Sequence, residues 1–124
     1  MYKEGTCVAQ SDEKAAEWYT KAAEQGHAKA QFRLGAMFDL GQGGPQDHVE
    51  ARRLFILAAE QGDADAQYVL GIMHKYGQGG PADEVEAQRL FGLAAEQGNA
   101  DAQFRLGLLL LAGDFFPRGF VRVD

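Results

Sequence analysis

Several side chains in this sequence are of types that could support chemistry. Ser11 is followed three residues later by Lys14, the S-x-x-K spacing in which an amine beside a hydroxyl activates it for attack on an acyl carbon, as in serine β-lactamases. Glutamates recur as Glu24, Glu60 and Glu96, and carboxylates of unequal pKa are what general acid–base catalysis requires. Cys7 offers a thiol, and His27, His48 and His74 offer imidazoles that ligate metals or move protons.

Each of these has a plainer role. Ser11 stands 36 and 72 residues before Asp47 and Asp83, and all three side chains suit a helix N-cap, which accepts a backbone N–H. Neither S-D-N nor K-T-G, the partners of S-x-x-K, occurs in the chain. The glutamates sit in identical local sequences, which gives no reason for their pKa values to diverge, so a structural or solvated role is expected. Cys7 is the only cysteine, which excludes an intrachain disulfide, and no histidine lies near it in sequence. The histidines fall at three different positions of the pattern described next, so no metal site is expected, only surface or capping roles, and nothing implies a cofactor.

That pattern organises the chain. Ala-Ala-Glu-Gln-Gly occurs at residues 22–26, 58–62 and 94–98, a constant step of 36. Gln31-Phe32-Arg33-Leu34-Gly35 aligns with Gln67-Tyr68-Val69-Leu70-Gly71 and Gln103-Phe104-Arg105-Leu106-Gly107 at the same step. The glycine-rich residues 41–45 align with 77–81, and proline rather than Lys-Ser/Thr follows the glycines, so they are turns and not phosphate loops. Self-similarity at such a period marks a stacked array. It divides the chain into a half repeat (1–26), repeats 27–62 and 63–98, and an incomplete repeat (99–124), all within one domain.

Each period reads as two helices. Helix A starts near Ala28, Ala64 or Ala100 and runs about twelve residues to the glycine-rich turn. Helix B follows, with Asp47/Glu50 and Asp83/Glu86 as D-x-x-E capping boxes and Ser11 as the equivalent first cap, and ends at Gly26, Gly62 or Gly98. Its apolar positions, Ala51, Leu54, Phe55, Ala58 and Ala59 in the second copy, follow the spacing of one buried stripe, and Ala15, Trp18, Tyr19, Ala22 and Ala23 precede them one period earlier. Gly35, Gly71 and Gly107 interrupt helix A at a cost of about 1 kcal/mol each, which close approach of a neighbouring helix would explain.

L-G-x-x-[aromatic]-x-x-G-x-G at residues 34–43, then P-x-D-x-x-x-A at 45–51 and the Ala-Ala-Glu-Gln-Gly ending, resemble the Sel-like repeat (suppressor/enhancer of lin), a relative of the tetratricopeptide repeat. The resemblance runs from Tyr2 to about Pro117. It implies an all-α, right-handed α-α superhelix of six helices in the order B-A-B-A-B-A, acting as a non-enzymatic scaffold that binds proteins. A cysteine-rich relative has been associated with penicillin binding, which keeps a small hydrolase of β-lactam or peptidoglycan-like substrates as the alternative. Cys7 replaces a loop glycine, His74 replaces the aromatic found as Tyr2 and Phe38, and the pattern fades after Gly113. The residues from Met1 to Gly5 match the end of a helix A whose start would precede Met1, so the chain is expected to be a fragment of a longer array.

Composition bounds the partner. Twelve Lys and Arg against eighteen Asp and Glu give a net charge of −6, which repels a phosphate backbone and argues against nucleic acid. The first five residues lack an apolar signal core, and the longest apolar run, residues 108–112, is far short of a membrane span. No membrane partner is expected. The compartment stays open: cytoplasmic as written, periplasmic or secreted if a segment precedes Met1.

What remains is a protein or peptide partner. Positions that differ between units on one face of helix A are Lys29, Arg33, Ala36 and Leu40, then Asp65, Val69, Ile72 and Tyr76, then Asp101, Arg105 and Leu108. On the inner side of a curved array they would form a concave strip. The ends are expected to adhere, Trp18 and Tyr19 of one copy to residues 108–111 of another, giving an end-to-end homo-oligomer unless the tail from Phe115 to Val121 folds back as a cap.

Overall fold

The computed structural model describes the backbone of residues 4–113 and the side chains of residues 11–113. Among these residues lie six α-helices and no strand: α1 Glu4–Glu24, α2 Ala28–Leu40, α3 His48–Glu60, α4 Ala64–Tyr76, α5 Glu84–Glu96 and α6 Ala100–Ala112. Each helix packs on the next in sequence, which makes a helical-repeat solenoid, with α2, α4 and α6 as helices A and α1, α3 and α5 as helices B. The expected all-α architecture and the bounds of every helix A are met.

The B-to-A turns are short because one residue ends one helix and starts the next. After α3, Gly62 N–H donates to Ala59 O and Asp63 N–H to Ala58 O, the paired bonds of a Schellman turn. Asp63 then caps α4 by accepting the Ala66 N–H at 2.9 Å. His27 and Asn99 cap α2 and α6 in the same way, accepting from Ala30 and Ala102. Buried glutamines brace the turn: Gln31 donates to Ala23 O, Gln67 donates to Ala59 O, and each accepts from a second glutamine, Gln61 or Gln97.

The A-to-B pair is packed ring on glycine. A Cβ placed on Gly35 would lie 2.9 Å from the Phe55 ring, and one on Gly71 would lie 2.7 Å from that of Phe91. The same rings tilt against the aromatic one turn earlier, Phe32 with Phe55 at 5.7 Å and Tyr68 with Phe91 at 5.8 Å between centroids. Around them Leu54, Leu90, Leu34, Leu70 and Met73 complete an almost fully buried core.

The A-to-B loops need glycine at one place in particular. Gly43 and Gly79 have φ of +75° and +73°, and a Cβ there would run into a backbone carbonyl of the preceding helix B, that of Asp12 within α1 or of His48 at the start of α3. The loop of one repeat is thereby seated on the previous one.

Two expectations are corrected. The D-x-x-E boxes close on one side only: Asp47 and Asp83 accept the Glu50 and Glu86 N–H at 3.0 Å, but the glutamates grip Arg53 and Arg89 instead of reaching back. The cap N–H groups donate across the loop to Phe38 O and His74 O. Ser11 is not an N-cap, because α1 runs unbroken from Glu4 and Ser11 lies inside it, exposed. Thr6, Cys7, Val8 and Ala9 occupy the places of Gln42, Gly43, Gly44 and Pro45, so the second left-handed glycine of the loop and its proline are missing, although Gly5 keeps the place of the capping Gly41. Nothing in those residue types prevents the helix from continuing.

Candidate functional site

The A helices lie edge to edge, and their variable faces are joined by polar contacts between neighbouring units. Lys29 reaches from α2 to Asp63 Oδ1 at 2.7 Å and Asp65 Oδ2 at 3.2 Å on the next unit. Those partners, the Asp63 hydrogen bond first, hold its ammonium above its ordinary pKa. Asp65 in turn accepts from Asn99 at 3.1 Å, so α2, α4 and α6 are tied in one row. Arg105 donates to the Tyr68 hydroxyl at 3.3 Å, and Tyr68 followed by Tyr76 raises its pKa.

Of the eleven expected positions, Lys29, Asp65 and Arg105 therefore link units. Ala36 and Val69 lean on the core, and Ile72 is half-buried. Arg33, Leu40, Tyr76, Asp101 and Leu108 face outward, three of them large apolar side chains. Charged and apolar side chains are interspersed along the row. Tyr68 was not among the expected positions because an aromatic recurs at its place. The signal was its hydroxyl, absent from Phe32 and Phe104.

A concavity lies between two helices B. A cavity of about 430 Å³ opens between α1 and α3 over α2, floored by Ala23, Leu34, Phe38, Leu54 and Leu57, with Glu24 and the Glu50–Arg53 pair in its lining.

Arg52 was also missed. Its side chain is 8% exposed, it donates to Met73 O and Pro81 O, and its buried Nε has no partner among the described residues. It fastens the 77–81 loop to α3, and burial lowers its pKa. Nothing in the sequence marked it, since Ala16 and Gln88 hold the equivalent places. His74 lies 3.4 Å from it and is not a surface residue: burial first and Arg52 next lower its pKa, against opposing pulls from Glu86 and Asp83. A histidine with a depressed folded pKa binds fewer protons folded than unfolded, so its contribution to stability is full above about 6.5 and declines as pH falls below that. Thermal melts between pH 7.5 and 5 are expected to show a falling Tm, and His74→Phe, which restores the residue found at Phe38, is expected to flatten the fall.

The other chemistry-bearing residues are not brought together. Ser11 and Lys14 lie on exposed turns of α1, and Glu24, Glu60 and Glu96 are exposed at three separate helix ends. His27 caps α2, while His48 pairs with Asp39 at 2.7 Å. No group of three or more potential metal ligands occurs among the described residues, and none of their helices is long and apolar enough to cross a membrane.

A family model for the Sel1 repeat matches residues 1–27, 28–63, 64–99 and 100–124. Solved structures share the fold, among them the following three. A protective antigen of uropathogenic Escherichia coli displaying an SLR fold superposes with a TM-score of 0.78 at 39% identity, over 82% of this chain and 22% of that one. A Sel1 repeat protein from Oxalobacter formigenes gives 0.77 at 40% identity, over 82% and 42%. Cysteine-rich protein B of Helicobacter pylori gives 0.67 at 25% identity, over 70% and 65%. The chain thus spans from about a fifth to under two thirds of the length of these proteins. No curated protein matches it in sequence.

Proposed function

The chain belongs to the Sel1 repeat family, whose members are typically protein-interaction scaffolds, and on that premise we propose that it is a non-enzymatic adaptor binding a peptide or protein loop along the A-helix row. The observation that carries this reading is a division of labour inside each repeat. Positions that pack, such as Gly35/Gly71 and Phe55/Phe91, agree between units, whereas the outward positions of helix A differ and still form one connected row. Binding energy on such a surface concentrates in a few apolar and arginine anchors, and Arg33, Leu40, Tyr76 and Leu108 are the exposed ones.

Arg33→Glu, Leu40→Ser and Tyr76→Ser combined are expected to weaken capture of a stoichiometric protein partner at least tenfold, by the loss of two or three anchors of about 1 kcal/mol or more each. Val69 is left intact because it leans on the core. The melting temperature should stay within a few degrees, and undiminished capture would move the site to the groove between α1 and α3.

A further inference from the structure

The groove between α1 and α3 is formed inside the array: its walls and floor come from residues 20–57, two neighbouring helices B and the helix A beneath them. Leu34, Phe38, Leu54 and Leu57 make its floor apolar, and Leu57 is 37% exposed. Its polar groups are a one-sided set. Thr20 donates its hydroxyl hydrogen to Ala16 O at 2.6 Å, which leaves its lone pairs as acceptors. Gln31 is spent, donating to Ala23 O and accepting from Gln61. Arg53 closes on Glu50 through two bonds of 2.9 Å and 2.6 Å. Glu24 is exposed, and its carboxylate has no ion pair or hydrogen bond among the described residues; Lys21, the cation one turn before it, lies over the Trp18 ring at 4.7 Å instead. The groove therefore offers a ligand apolar surface, acceptors and one unpaired negative charge.

Size and repetition narrow the ligand. The lining of α3 from Glu50 to Leu57 covers two turns, roughly 10 Å, which is the span of about three residues of extended chain, with alternate side chains facing the same way. The volume of about 430 Å³ falls within the range of ligand sites, roughly 300–1,000 Å³. One period later, between α3 and α5, the lining positions hold the same residues except at two places, where Ile56 stands for Thr20 and His74 for Phe38. Thr20 is thus the wall position at which the chain itself accepts a larger apolar side chain.

We propose that this groove binds an extended segment of a partner protein in which a lysine or arginine stands two residues from a leucine-sized apolar residue. The apolar side chain and the methylene stem of the basic one lie on Leu34, Phe38, Leu54 and Leu57, and the cationic head reaches Glu24. The occupant is a basic partner because a second copy carries the same net charge of −6, which repels it, while a basic segment is attracted by that field. The site is separate from the A-helix row and stands or falls independently of any partner bound there.

Heteronuclear NMR titration of the full chain with the peptide acetyl-Gly-Arg-Ser-Leu-Gly-amide is expected to give saturable shifts at the amides of Thr20, Glu24 and Leu57. Citrulline, which keeps the shape of arginine without its charge, should bind about fivefold more weakly, the worth of one ion pair at an exposed rim. Glu24→Gln should weaken the arginine peptide by the same factor and leave the citrulline peptide unaffected, whereas Glu60→Gln, one period on, should change neither. Thr20→Ile fills the groove with the residue found at Ile56 and should abolish the shifts while helical circular dichroism and Tm are retained. The combined Arg33→Glu, Leu40→Ser and Tyr76→Ser variant should bind the peptide as the wild type does, which separates this site from the A-helix row. Absent shifts, shifts confined to other residues, equal binding of the citrulline peptide, or binding that survives Thr20→Ile overturns the proposal. So do shifts of these amides that grow with protein concentration alone, which would seat a second copy in the groove.

Discussion

Replacing Gly71 by leucine is expected to destabilise the domain by about 3 kcal/mol, although the substitution raises helix propensity by close to 1 kcal/mol. Propensity is outweighed because the site has no volume. A Cβ alone would stand 2.7 Å and 2.9 Å from two atoms of the Phe91 ring, and that ring is fully buried between α4 and α5. Leucine adds three more carbons, so α5 must move away from α4 or Phe91 must leave its rotamer. Removing the ring instead, Phe91→Ala, should cost about 3–5 kcal/mol through the cavity left behind. The two substitutions combined should cost less than their sum, because the leucine then occupies the vacated space. Gly107→Leu is the internal control: the same repeat position, with nothing against it among the described residues, should show no loss. Urea unfolding of the four variants checks the set, and equal losses at Gly71 and Gly107 would mean that the ring contact is not the cause.

That control shows how far the sequence could be read. The 36-residue step gave the bounds of α2, α4 and α6, since each helix A lies between an N-cap residue and a left-handed glycine, and both leave local signatures. It also exposed Gly35 and Gly71 as contacts, because a mid-helix glycine has a cost that only packing offsets. It misled at α1, where the period implied a loop that the residue types had lost: Cys7 and Ala9 replace the glycine and proline that make one. The reach of Glu50 to Arg53 was hidden for another reason. A D-x-x-E pattern states which groups are near, while an arginine three residues further on competes for the same carboxylate with a bidentate, charge-assisted pair. The A-helix row was legible as variable positions, but its linkage was not. Lys29 to Asp65 and Arg105 to Tyr68 are contacts between units, whose existence depends on how the repeats are stacked. Arg52 was invisible because it breaks the repeat instead of following it.

Gly79→Ala should be the more damaging of two chemically identical changes, the other being Gly62→Ala. Both glycines have positive φ, +73° and +93°, where an alanine pays a conformational cost of roughly 1–2 kcal/mol. At Gly62 that is the whole effect, because nothing lies within 4 Å of the added carbon. At Gly79 the carbon would also collide with the backbone carbonyl of His48 and with Arg52 Cβ, and a backbone atom in the first turn of α3 cannot swing aside as a side-chain tip can. The loop must then lift off α3. Lifting it also breaks the bond from Arg52 to Pro81 O, leaving a buried guanidinium, already short of one partner at Nε, with less to hold it. A further loss of about 2 kcal/mol or more follows from that uncompensated polar group. Stability in a repeat array is a sum of unit and interface terms, and this loop belongs to the interface between repeats. Gly79→Ala is therefore expected to separate the unfolding of the first and second repeats, so that the denaturant transition broadens as well as shifting, whereas Gly62→Ala shifts it without broadening. Equal shifts with parallel transitions would place the cost of Gly79→Ala in its backbone angle alone and remove the loop from the inter-repeat seam.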